Sequence, residues 1–322
     1  MKVLVTGATS MIGASVVDRL LARGDQVTVM QRTPSGRTDV AEVAGDIGDS
    51  EAVDRATAGV EGVIHLAAKV GVVGQWSEYE AINIEGTRSL IAAARAAGAT
   101  RFVHISTPSV AHAGSALVGA SAEPAQPDHV RGHYARSKAI AEQHALAANA
   151  DDFHLVALRP HLVWGPGDTQ LVQRIIDRAR AGRLALVGSG LALIDTTYVD
   201  NAASAMVSAL DRAPHVGGRA LVISNGQPRT VAEVLQRILV AAGLPPEIKN
   251  VPASVAIGAG TVAETVWDRT NRTDDPPMTR FLAEQLSTAH WFDQRDAQRL
   301  LQWQPELSLE EGFERLQRHL AA

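Results

Sequence analysis

The 322-residue chain contains no cysteine, which excludes disulfide bonds, thiolate nucleophiles and cysteine-ligated metal sites. It also lacks an apolar run of the roughly 18 residues that a membrane-spanning helix needs. The nearest run, 251–266, is interrupted by Pro252, Ser254, Thr261 and Glu264. The net charge of −5 and the isoelectric point near 6.1 show no bulk attraction for nucleic acid or anionic membranes. No His, Asp and Glu group has metal-ligand spacing, and the first residues are too weakly apolar for a signal peptide. These absences favour a cytoplasmic protein with no nucleic-acid partner, no membrane span and no metal.

Short apolar runs alternate with helical patterns over the first half of the chain. The predicted strands are residues 3–5, 27–30, 63–66, 102–106 and 155–158, and the predicted helices include 12–21, 87–97 and 134–149. Strand–helix–strand crossovers imply parallel pairing, and strands that are apolar throughout suit a sheet covered on both faces. The pattern predicts an α/β fold, a doubly wound parallel sheet of the Rossmann type, up to about residue 160.

A glycine-rich turn between the first strand and the first helix predicts a site for a dinucleotide pyrophosphate. Such a turn presents backbone N–H groups and a helix N-terminus to the phosphates. Gly7 provides the tight turn, and Gly13 allows the helix to pack closely on the strand. Ser10 replaces the second glycine of a G-x-x-G-x-x-G loop, so its Cβ crowds the phosphates or its hydroxyl donates to them. The residues predicted to contact the phosphates are Gly7, Thr9, Ser10, Met11, Ile12 and Gly13.

The end of the second strand indicates which dinucleotide is bound. A ribose 2′-hydroxyl calls for Asp or Glu there, whereas this chain has Gln31 and Arg32, with no acid before Asp39. A guanidinium can instead meet a 2′-phosphate. NADP(H) is therefore predicted in preference to NAD(H), although Arg32 stacking on adenine or lying in solvent stays open. Asp46 and Ile47 are predicted at the adenine rim.

Tyr134 and Lys138 are the strongest chemical signal, because a spacing of four places both on one face of a helix. A nearby ammonium stabilises tyrosinate and lowers the phenol pKa. Reaching neutrality from the usual value takes about 4 kcal/mol, which the lysine and an oxidised nicotinamide can share. The tuned phenol then gives or takes a proton on the substrate oxygen. An ordinary surface pair is the alternative, and the location after the 102–106 strand argues against it.

These motifs, in their order, resemble the extended short-chain dehydrogenase/reductases over nearly the whole chain. The matching segments are 6–13, 65–68, 83–87, 134–138 and 158–160. Segments 164–168 and 195–201 are similar to the 3β-hydroxysteroid dehydrogenase branch. Segments 157–168, 276–281 and 290–293 resemble the bacterial 2-alkyl-3-oxoalkanoate reductases of long-chain olefin biosynthesis, which reduce β-keto acids carrying two long alkyl chains with NADPH.

The resemblance implies a role for individual residues. Tyr134 is the expected general acid in reduction, and Lys138 is expected to bind the nicotinamide ribose. Thr107 is expected to hold the substrate oxygen, with Ser106 as the alternative if the register differs by one. The remaining residues expected to line the cofactor are Leu66, Ala67, Ala68, Asn83, Ser106, Pro160 and Leu162. The sequence does not report the oligomeric state, and a homodimer is suggested only by analogy with the family, in which homodimers are common.

The regular alternation of predicted strands and helices does not continue in the second half of the chain. Helices are predicted over 171–180 and 201–210, a strand over 220–224 returns to the sheet, and the chain from Pro245 onward is expected to be mostly helical. Ser308 and Glu311 match a capping box, followed by Phe313, Leu316 and Leu320 on one face. The expected organisation is an NADP-binding Rossmann domain over 1–160, with a returning segment near 195–225, and a smaller, mostly helical substrate-binding lobe over 161–322.

Apolar residues after the strands predict a hydrophobic substrate pocket. The candidates for its walls are segment 69–76, Val110, Leu162, Trp164, Met278 and Phe281, although these residues can equally pack between the lobes. His112 and His161 lie near the site. A β-keto acid also needs a cation for its carboxylate, and the sequence does not choose between Arg131 and Arg280.

Three functions remain open at this point. The first is an NADP(H)-dependent carbonyl reductase acting on a bulky hydrophobic β-keto acid, a 2-alkyl-3-oxoalkanoate. The second is a 3β-hydroxysteroid or sterol dehydrogenase that uses the same catalytic residues. The third is a non-catalytic NADP(H)-binding sensor, which the intact set of Tyr134, Lys138 and Thr107 argues against.

Overall fold

A computed structural model describes residues 1–71, 74–111, 116–270 and 279–322, and of residues 264, 265, 268–270 and 281 it describes the backbone only. The strands, in chain order, are β1 (Lys2–Thr6), β2 (Gln26–Gln31), β3 (Ala41–Ala44), β4 (Gly62–His65), β5 (Arg101–Ile105), β6 (Leu117–Ala120), β7 (His154–Pro160), β8 (Val163–Trp164), β9 (Ala185–Val187), β10 (Leu193–Ile194), β11 (Thr197–Tyr198), β12 (Arg219–Ile223), β13 (Arg229–Thr230), β14 (Lys249–Val251) and β15 (His290–Phe292).

The helices are α1 (Met11–Ala22), α2 (Ser50–Thr57), α3 (Trp76–Tyr79), α4 (Thr87–Ala96), α5 (His133–Ala147), α6 (Val172–Arg180), α7 (Val199–Val216), α8 (Val231–Ala241), α9 (Ala253–Thr270), α10 (Arg280–Ser287), α11 (Arg295–Leu301) and α12 (Leu309–Ala321). A π-helical turn, Glu80–Gly86, leads into α4, and a 3₁₀ turn, Pro108–Ala111, follows β5.

Seven parallel strands form the main sheet in the order β3-β2-β1-β4-β5-β7-β12. This order confirms the predicted doubly wound Rossmann fold. Alternate side chains of each strand enter different cores, as Val3 and Val5 pack with α1 and α7 while Leu4 packs with α2 and α4. Covering on both faces explains why the central strands are apolar throughout. The strand after α7, β12, pairs with β7 and so returns to this sheet.

The sequence analysis missed β3 and α2, between the second and fourth strands. The edge strand β3 has only four residues, all but one of them exposed, so it carries little of the apolar signal that marks the central strands. Helix α2 is short and is capped by Asp49, whose carboxylate accepts from the backbone N–H groups of Glu51 and Ala52 at 3.1 and 3.2 Å.

The second half of the chain forms most of a smaller, mostly helical lobe around a four-stranded sheet, β13-β10-β15-β6, to which the first half contributes β6. Strands β14 and β15 interrupt the region that was expected to be helical. The capping box is confirmed, because Ser308 Oγ accepts from Glu311 N at 3.2 Å and Glu311 Oε2 accepts from Ser308 N at 2.8 Å. Phe313 and Leu316 are buried as predicted, but Leu320 in the last turn is 38% exposed.

Two residues expected in the substrate pocket instead belong to the apolar cores. Trp164 is fully buried and stacks on Phe313 with ring centroids 4.4 Å apart, and Val110 is fully buried in a separate small cluster. Within the described ranges, no helix combines the length and the apolar character needed to cross a bilayer. The same part of the chain holds no group of three potential metal ligands.

Candidate active site

The glycine-rich turn between β1 and α1 has the geometry of a phosphate-binding cradle. Gly7 has φ +74°, and a Cβ on it would lie 2.9 Å from the backbone N of Ala67. A Cβ on Gly13 would lie 2.3 Å from the carbonyl oxygen of Gly7, so only glycine lets α1 approach the turn this closely. Thr9 and Ser10 are exposed at the rim, and Met11 and Ile12 begin the helix, where backbone N–H groups lack intrahelical partners. These features fit a dinucleotide pyrophosphate.

Ser10 stabilises this turn through its hydroxyl group. Its Oγ donates to the carbonyl oxygen of Gly7 at 2.8 Å and accepts from the backbone N–H of Gly13 at 3.0 Å. The residue is therefore the N-cap of α1. Because the hydroxyl hydrogen is bonded to Gly7 O, it is not directed at the phosphates, and crowding of the phosphates by the Ser10 Cβ stays a prediction.

Arg32 and Asp46 lie together beyond the end of β2, where the adenosine half of a dinucleotide binds in Rossmann folds. Arg32 Nη1 is 3.7 Å from Asp46 Oδ2, and the arginine side chain is 74% exposed. Asp46 also accepts from the backbone N–H of Gly48 at 2.9 Å. Ile47, expected beside Asp46 at the rim, instead packs its side chain into the core with α2 and α4.

The segment after β4 runs along the same edge of the sheet, and Leu66, Ala67 and Ala68 are all partly buried there. Asn83 fixes this segment from the π-helical turn. Its Oδ1 accepts from Lys69 N at 2.7 Å, and its Nδ2 donates to Lys69 O at 3.0 Å and to Ser137 Oγ at 2.9 Å. Asn83 is 1% exposed, so its side chain connects the segment to α5.

Tyr134 lies in the first turn of α5. This helix begins directly after Gly132, whose φ is +82°. Among the described residues, none forms a hydrogen bond with its phenol oxygen. The sequence predicted a lowered pKa for this phenol, and the protein's own residues do the opposite. Burial raises the pKa of Tyr134 to about 12, with a smaller contribution from the charge of Tyr79. The phenol is therefore protonated at neutral pH, which is the form that a general acid needs.

Lys138 lies one helical turn further along α5 and is 3% exposed. Its Nζ donates to the carbonyl oxygen of Ile105 at 2.5 Å and lies 3.4 Å from His104 Nε2. Burial lowers the pKa of Lys138 to about 8, and the charge of Glu142 opposes that shift. His104 was missed by the sequence analysis, because a histidine within the apolar strand β5 gives no pattern of its own. Burial, reinforced by the charge of Lys138, places the pKa of His104 well below its usual value.

The geometry also separates Thr107 from Ser106. Thr107 lines a cavity together with Tyr134, and its Oγ1 is 3.0 Å from Ser109 Oγ. Ser106 is 5% exposed and lies outside that lining. Of the two candidates, Thr107 is therefore the one that lines the cavity with Tyr134.

The cavity has a volume of about 650 Å³ and lies between the C-terminal edge of the main sheet and the smaller lobe. Pro160 and Leu162 follow β7 into its wall, and Leu162 has φ +42°, a conformation that a non-glycine residue rarely adopts. Its apolar wall includes Leu171, Ile175, Val231, Val234, Leu235, Leu286 and Phe292. The helices that supply most of these residues were not recognised as pocket walls from sequence.

Only some of the other residues predicted near the pocket line the cavity. Segment 69–76 contributes Gly71 and Gly74 to the wall, while residues 72–73, His112 and Met278 lie outside the described residues, as does the side chain of Phe281. His161 lines the cavity, and its Nε2 is 3.2 Å from Nδ1 of His290, another lining residue. Their rings meet edge to face at 5.0 Å, so His161 is part of a buried histidine pair.

Comparisons with known proteins agree with this arrangement. Residues 3–224 match the family described as the NAD dependent epimerase/dehydratase family. A 2-alkyl-3-oxoalkanoate reductase of Stenotrophomonas maltophilia (strain K279a) is 43% identical over 331 residues, covering 100% of both proteins. A 3-beta-hydroxysteroid dehydrogenase of Mycolicibacterium neoaurum is 29% identical, covering 97% of this chain and 89% of that protein. The solved structure of MoeE5 in complex with UDP-glucose and NAD aligns with a TM-score of 0.76 at 25% identity, covering 100% of this chain and 99% of that one. The chain therefore belongs to the NAD dependent epimerase/dehydratase family, the extended short-chain dehydrogenase/reductases, and is a nicotinamide-dependent oxidoreductase.

Proposed function

We propose that this protein uses NADPH to reduce the ketone of a 2-alkyl-3-oxoalkanoate to the 2-alkyl-3-hydroxyalkanoate. The observation that carries the proposal is the cavity itself, in which Thr107 and Tyr134 adjoin a wall of aliphatic side chains. Two polar groups that can orient a carbonyl, placed beside a large apolar volume, suit a ketone flanked by alkyl chains. Relatives named 2-alkyl-3-oxoalkanoate reductase, at 43% and 40% identity, support the same substrate class.

In this mechanism the side chains hold the ketone and supply its proton. Thr107 donates its hydroxyl hydrogen to the substrate oxygen and so fixes the carbonyl in place. NADPH, when bound beside these residues, would supply the hydride for the carbonyl carbon. Tyr134 donates its phenol proton to the oxygen as negative charge develops there, which completes the secondary alcohol. Lys138 has three N–H donors, of which Ile105 O and His104 occupy two, leaving one for a ribose hydroxyl.

The cofactor is proposed to bind along the C-terminal edge of the main sheet, with residues 1–160 and the segment near 195–225 as its domain and 161–322 as the substrate lobe. The cradle at Gly7 and Gly13 would hold the pyrophosphate, and the segment from Leu66 to Ala68 would line the dinucleotide. We propose NADP(H) over NAD(H), because the exposed guanidinium of Arg32 suits a 2′-phosphate. Comparing turnover with NADPH and with NADH tests this preference.

Replacing Tyr134 with Phe tests the proposed chemistry. The Tyr134→Phe variant should lose about 10²- to 10⁴-fold in kcat, because general acid catalysis contributes that much, while its affinity for NADPH is retained. Turnover is followed as NADPH oxidation with a 2-alkyl-3-oxo acid. The matched control is Tyr198→Phe, which also removes a tyrosine hydroxyl. Tyr198 packs against Trp164 in the core and does not line the cavity. Unchanged turnover in Tyr134→Phe would refute the proposed role.

A 3β-hydroxysteroid or sterol dehydrogenase is the second candidate, supported by the relative from Mycolicibacterium neoaurum and by the apolar cavity. A panel of steroid alcohols and long-chain β-keto acids separates the two substrates. The catalytic set of Tyr134, Lys138 and Thr107 argues against a non-catalytic sensor, which has no use for a proton donor. Cofactor binding without turnover of any carbonyl would favour the sensor. The homodimer and the cytoplasmic location stay predictions from the sequence.

A further inference from the structure

The charge of the cavity wall is positive. Among the described residues that line it, Arg131 and Arg280 are the two arginines, and no Asp, Glu or Lys is present. Arg131 belongs to the loop before α5, and Arg280 begins α10, so the two come from distant parts of the chain. Guanidinium groups bind carboxylates through charge-assisted hydrogen bonds, so these two side chains are the candidates in the described lining for holding an anionic group.

The two guanidinium groups converge on one carboxylate. Arg131 Nη1 donates to Glu284 Oε2 at 2.5 Å, and Arg280 Nε donates to Glu284 Oε1 at 2.9 Å. Glu284 is 13% exposed, whereas the two arginine side chains are 46% and 47% exposed. Burial acts to raise the pKa of Glu284, but the hydrogen bonds from Arg280 and Arg131 outweigh it and lower that pKa. The same carboxylate therefore holds both guanidinium groups in place.

Arg131 retains N–H donors for a second carboxylate. A guanidinium presents five N–H donors in a planar fork, and within the described part of the chain Arg131 spends one of them, on Glu284. Arg131 also precedes Tyr134 by only three residues, and both line the same cavity. In a β-keto acid a single carbon separates the ketone carbon from the carboxylate, so the two groups need neighbouring sites.

We propose that the cluster of Arg131, Arg280 and Glu284 is the binding site for the substrate's carboxylate. The cluster selects an acid over a neutral ketone or steroid, and the alkyl chains fill the apolar part of the cavity. Glu284 pairs with both guanidinium groups when no substrate is bound, and the substrate's carboxylate competes with it for them. This assignment rests on the proposed function, since it identifies the anionic end of that substrate.

The test compares an acid with its neutral counterpart. The probes are a 2-alkyl-3-hydroxyalkanoate and its methyl ester, oxidised with NADP⁺, because both share the alcohol and the alkyl chains. Arg131→Gln and Arg280→Gln should each raise KM for the acid by about 10- to 100-fold, the worth of a charge-assisted hydrogen bond. KM for the ester and kcat for both probes should change little. The matched control is Arg95→Gln, whose side chain is also 46% exposed and pairs with Asp152 outside the cavity.

A second variant makes an opposite prediction. Glu284→Gln removes the competing anion, so KM for the acid should fall while KM for the ester stays constant. Equal changes for acid and ester in the three variants, or no change for the acid, would overturn the carboxylate site.

Calorimetric binding of both probes to the NADP⁺-bound enzyme separates this inference from the proposed reaction. Selective binding of the acid without turnover contradicts the proposed function and leaves the site intact. Turnover of both probes with equal affinity contradicts the carboxylate site and leaves the proposed function intact.

Discussion

At the residue scale, the proposed preference for NADP(H) depends on a single arginine side chain. Arg32 directly follows β2 and is 74% exposed, and its nearest carboxylate, Asp46, is as far away as 3.7 Å. Arg37, a few residues later, is already engaged, because Asp18 and Asp39 accept from it at 2.6 and 2.8 Å. A surface pair as long as that of Arg32 and Asp46 contributes little free energy, so Arg32 is available for a phosphate.

Arg32→Ala should therefore raise KM for NADPH but not for NADH. We expect KM for NADPH to rise by about 10- to 100-fold, because charge-assisted hydrogen bonds to the 2′-phosphate are lost. KM for NADH, which has no such phosphate, should be nearly unchanged. Steady-state kinetics with both cofactors gives the ratio, and Arg37→Gln is the matched control that should leave it unaltered. An equal rise for the two cofactors would contradict the assignment.

The sequence identified most chemical groups at this scale but not their protein partners. The helical spacing of Tyr134 and Lys138 is set by local geometry, so it was predictable. The convergence of Arg131 and Arg280 on Glu284 was not, because it depends on how α10 meets the loop before α5. The pKa of Tyr134 was mispredicted for a related reason: no local pattern reports burial, which is the main cause that raises this pKa.

At the scale of elements, a buried ion pair attaches α5, the helix that carries Tyr134 and Lys138, to the sheet. Arg159 in β7 donates through Nε and Nη2 to the two carboxylate oxygens of Glu142 in α5, at 2.9 and 2.5 Å. Arg159 Nη1 also donates to Glu123 O at 2.7 Å. Both side chains of the pair are almost completely buried. Because Glu142 follows Lys138 by one helical turn, the same carboxylate that anchors α5 also opposes the lowering of the Lys138 pKa.

Glu142→Gln should have two effects. It should cost about 3–5 kcal/mol in the free energy of unfolding, because it leaves the buried guanidinium of Arg159 without its anion. The pKa of Lys138 should fall further below 8, so the loss of activity at alkaline pH should begin at a lower pH. Denaturant unfolding and a pH–rate profile measure the two effects. Asp152→Asn, which breaks the exposed pair with Arg95, should change neither, and an unshifted profile in Glu142→Gln would contradict the electrostatic part.

Buried strands were predicted from the sequence more successfully than short or exposed ones. Central strands such as β1 and β4 are apolar throughout, and the sequence therefore located them within a residue or two. The edge strand β3 and the short strands β10, β13 and β15 were not recognised. Two or three residues are too few to show a period, and these strands exist because distant segments pair with them.

At the scale of the whole molecule, Asp195 joins the two sheets. Its backbone N–H donates to His290 O of the smaller sheet at 3.2 Å. Its carboxylate accepts from Thr196 N at 3.1 Å and from the hydroxyl of Ser224, which follows β12 of the main sheet. Asp195 has no exposed surface. Burial raises the pKa of Asp195 to about 6, although the hydrogen bond from Ser224 acts in the opposite direction.

This elevated pKa makes stability depend on pH in a definite direction. The folded state holds the Asp195 proton more tightly than the unfolded chain, in which the carboxyl has its usual value near 4. The stabilising contribution is therefore complete below about pH 4 and is lost as the pH rises through about 6. At pH 8 the buried carboxylate carries a charge that an amide would not.

Asp195→Asn should accordingly increase the free energy of unfolding at pH 8, by up to the order of 3 kcal/mol, and should change it little at pH 4. The amide can still accept from Thr196 N and donate to the Ser224 oxygen, so the connection between the sheets is retained. Denaturant unfolding of variant and wild type at both pH values gives the difference. Asp293→Asn is the control of opposite sign, because hydrogen bonds from Arg295 lower the pKa of Asp293 to about 2, and its charge should stabilise the fold at pH 8. If Asp195→Asn were less stable than wild type at pH 8, the ionised carboxylate would be contributing to the junction between the sheets rather than weakening it.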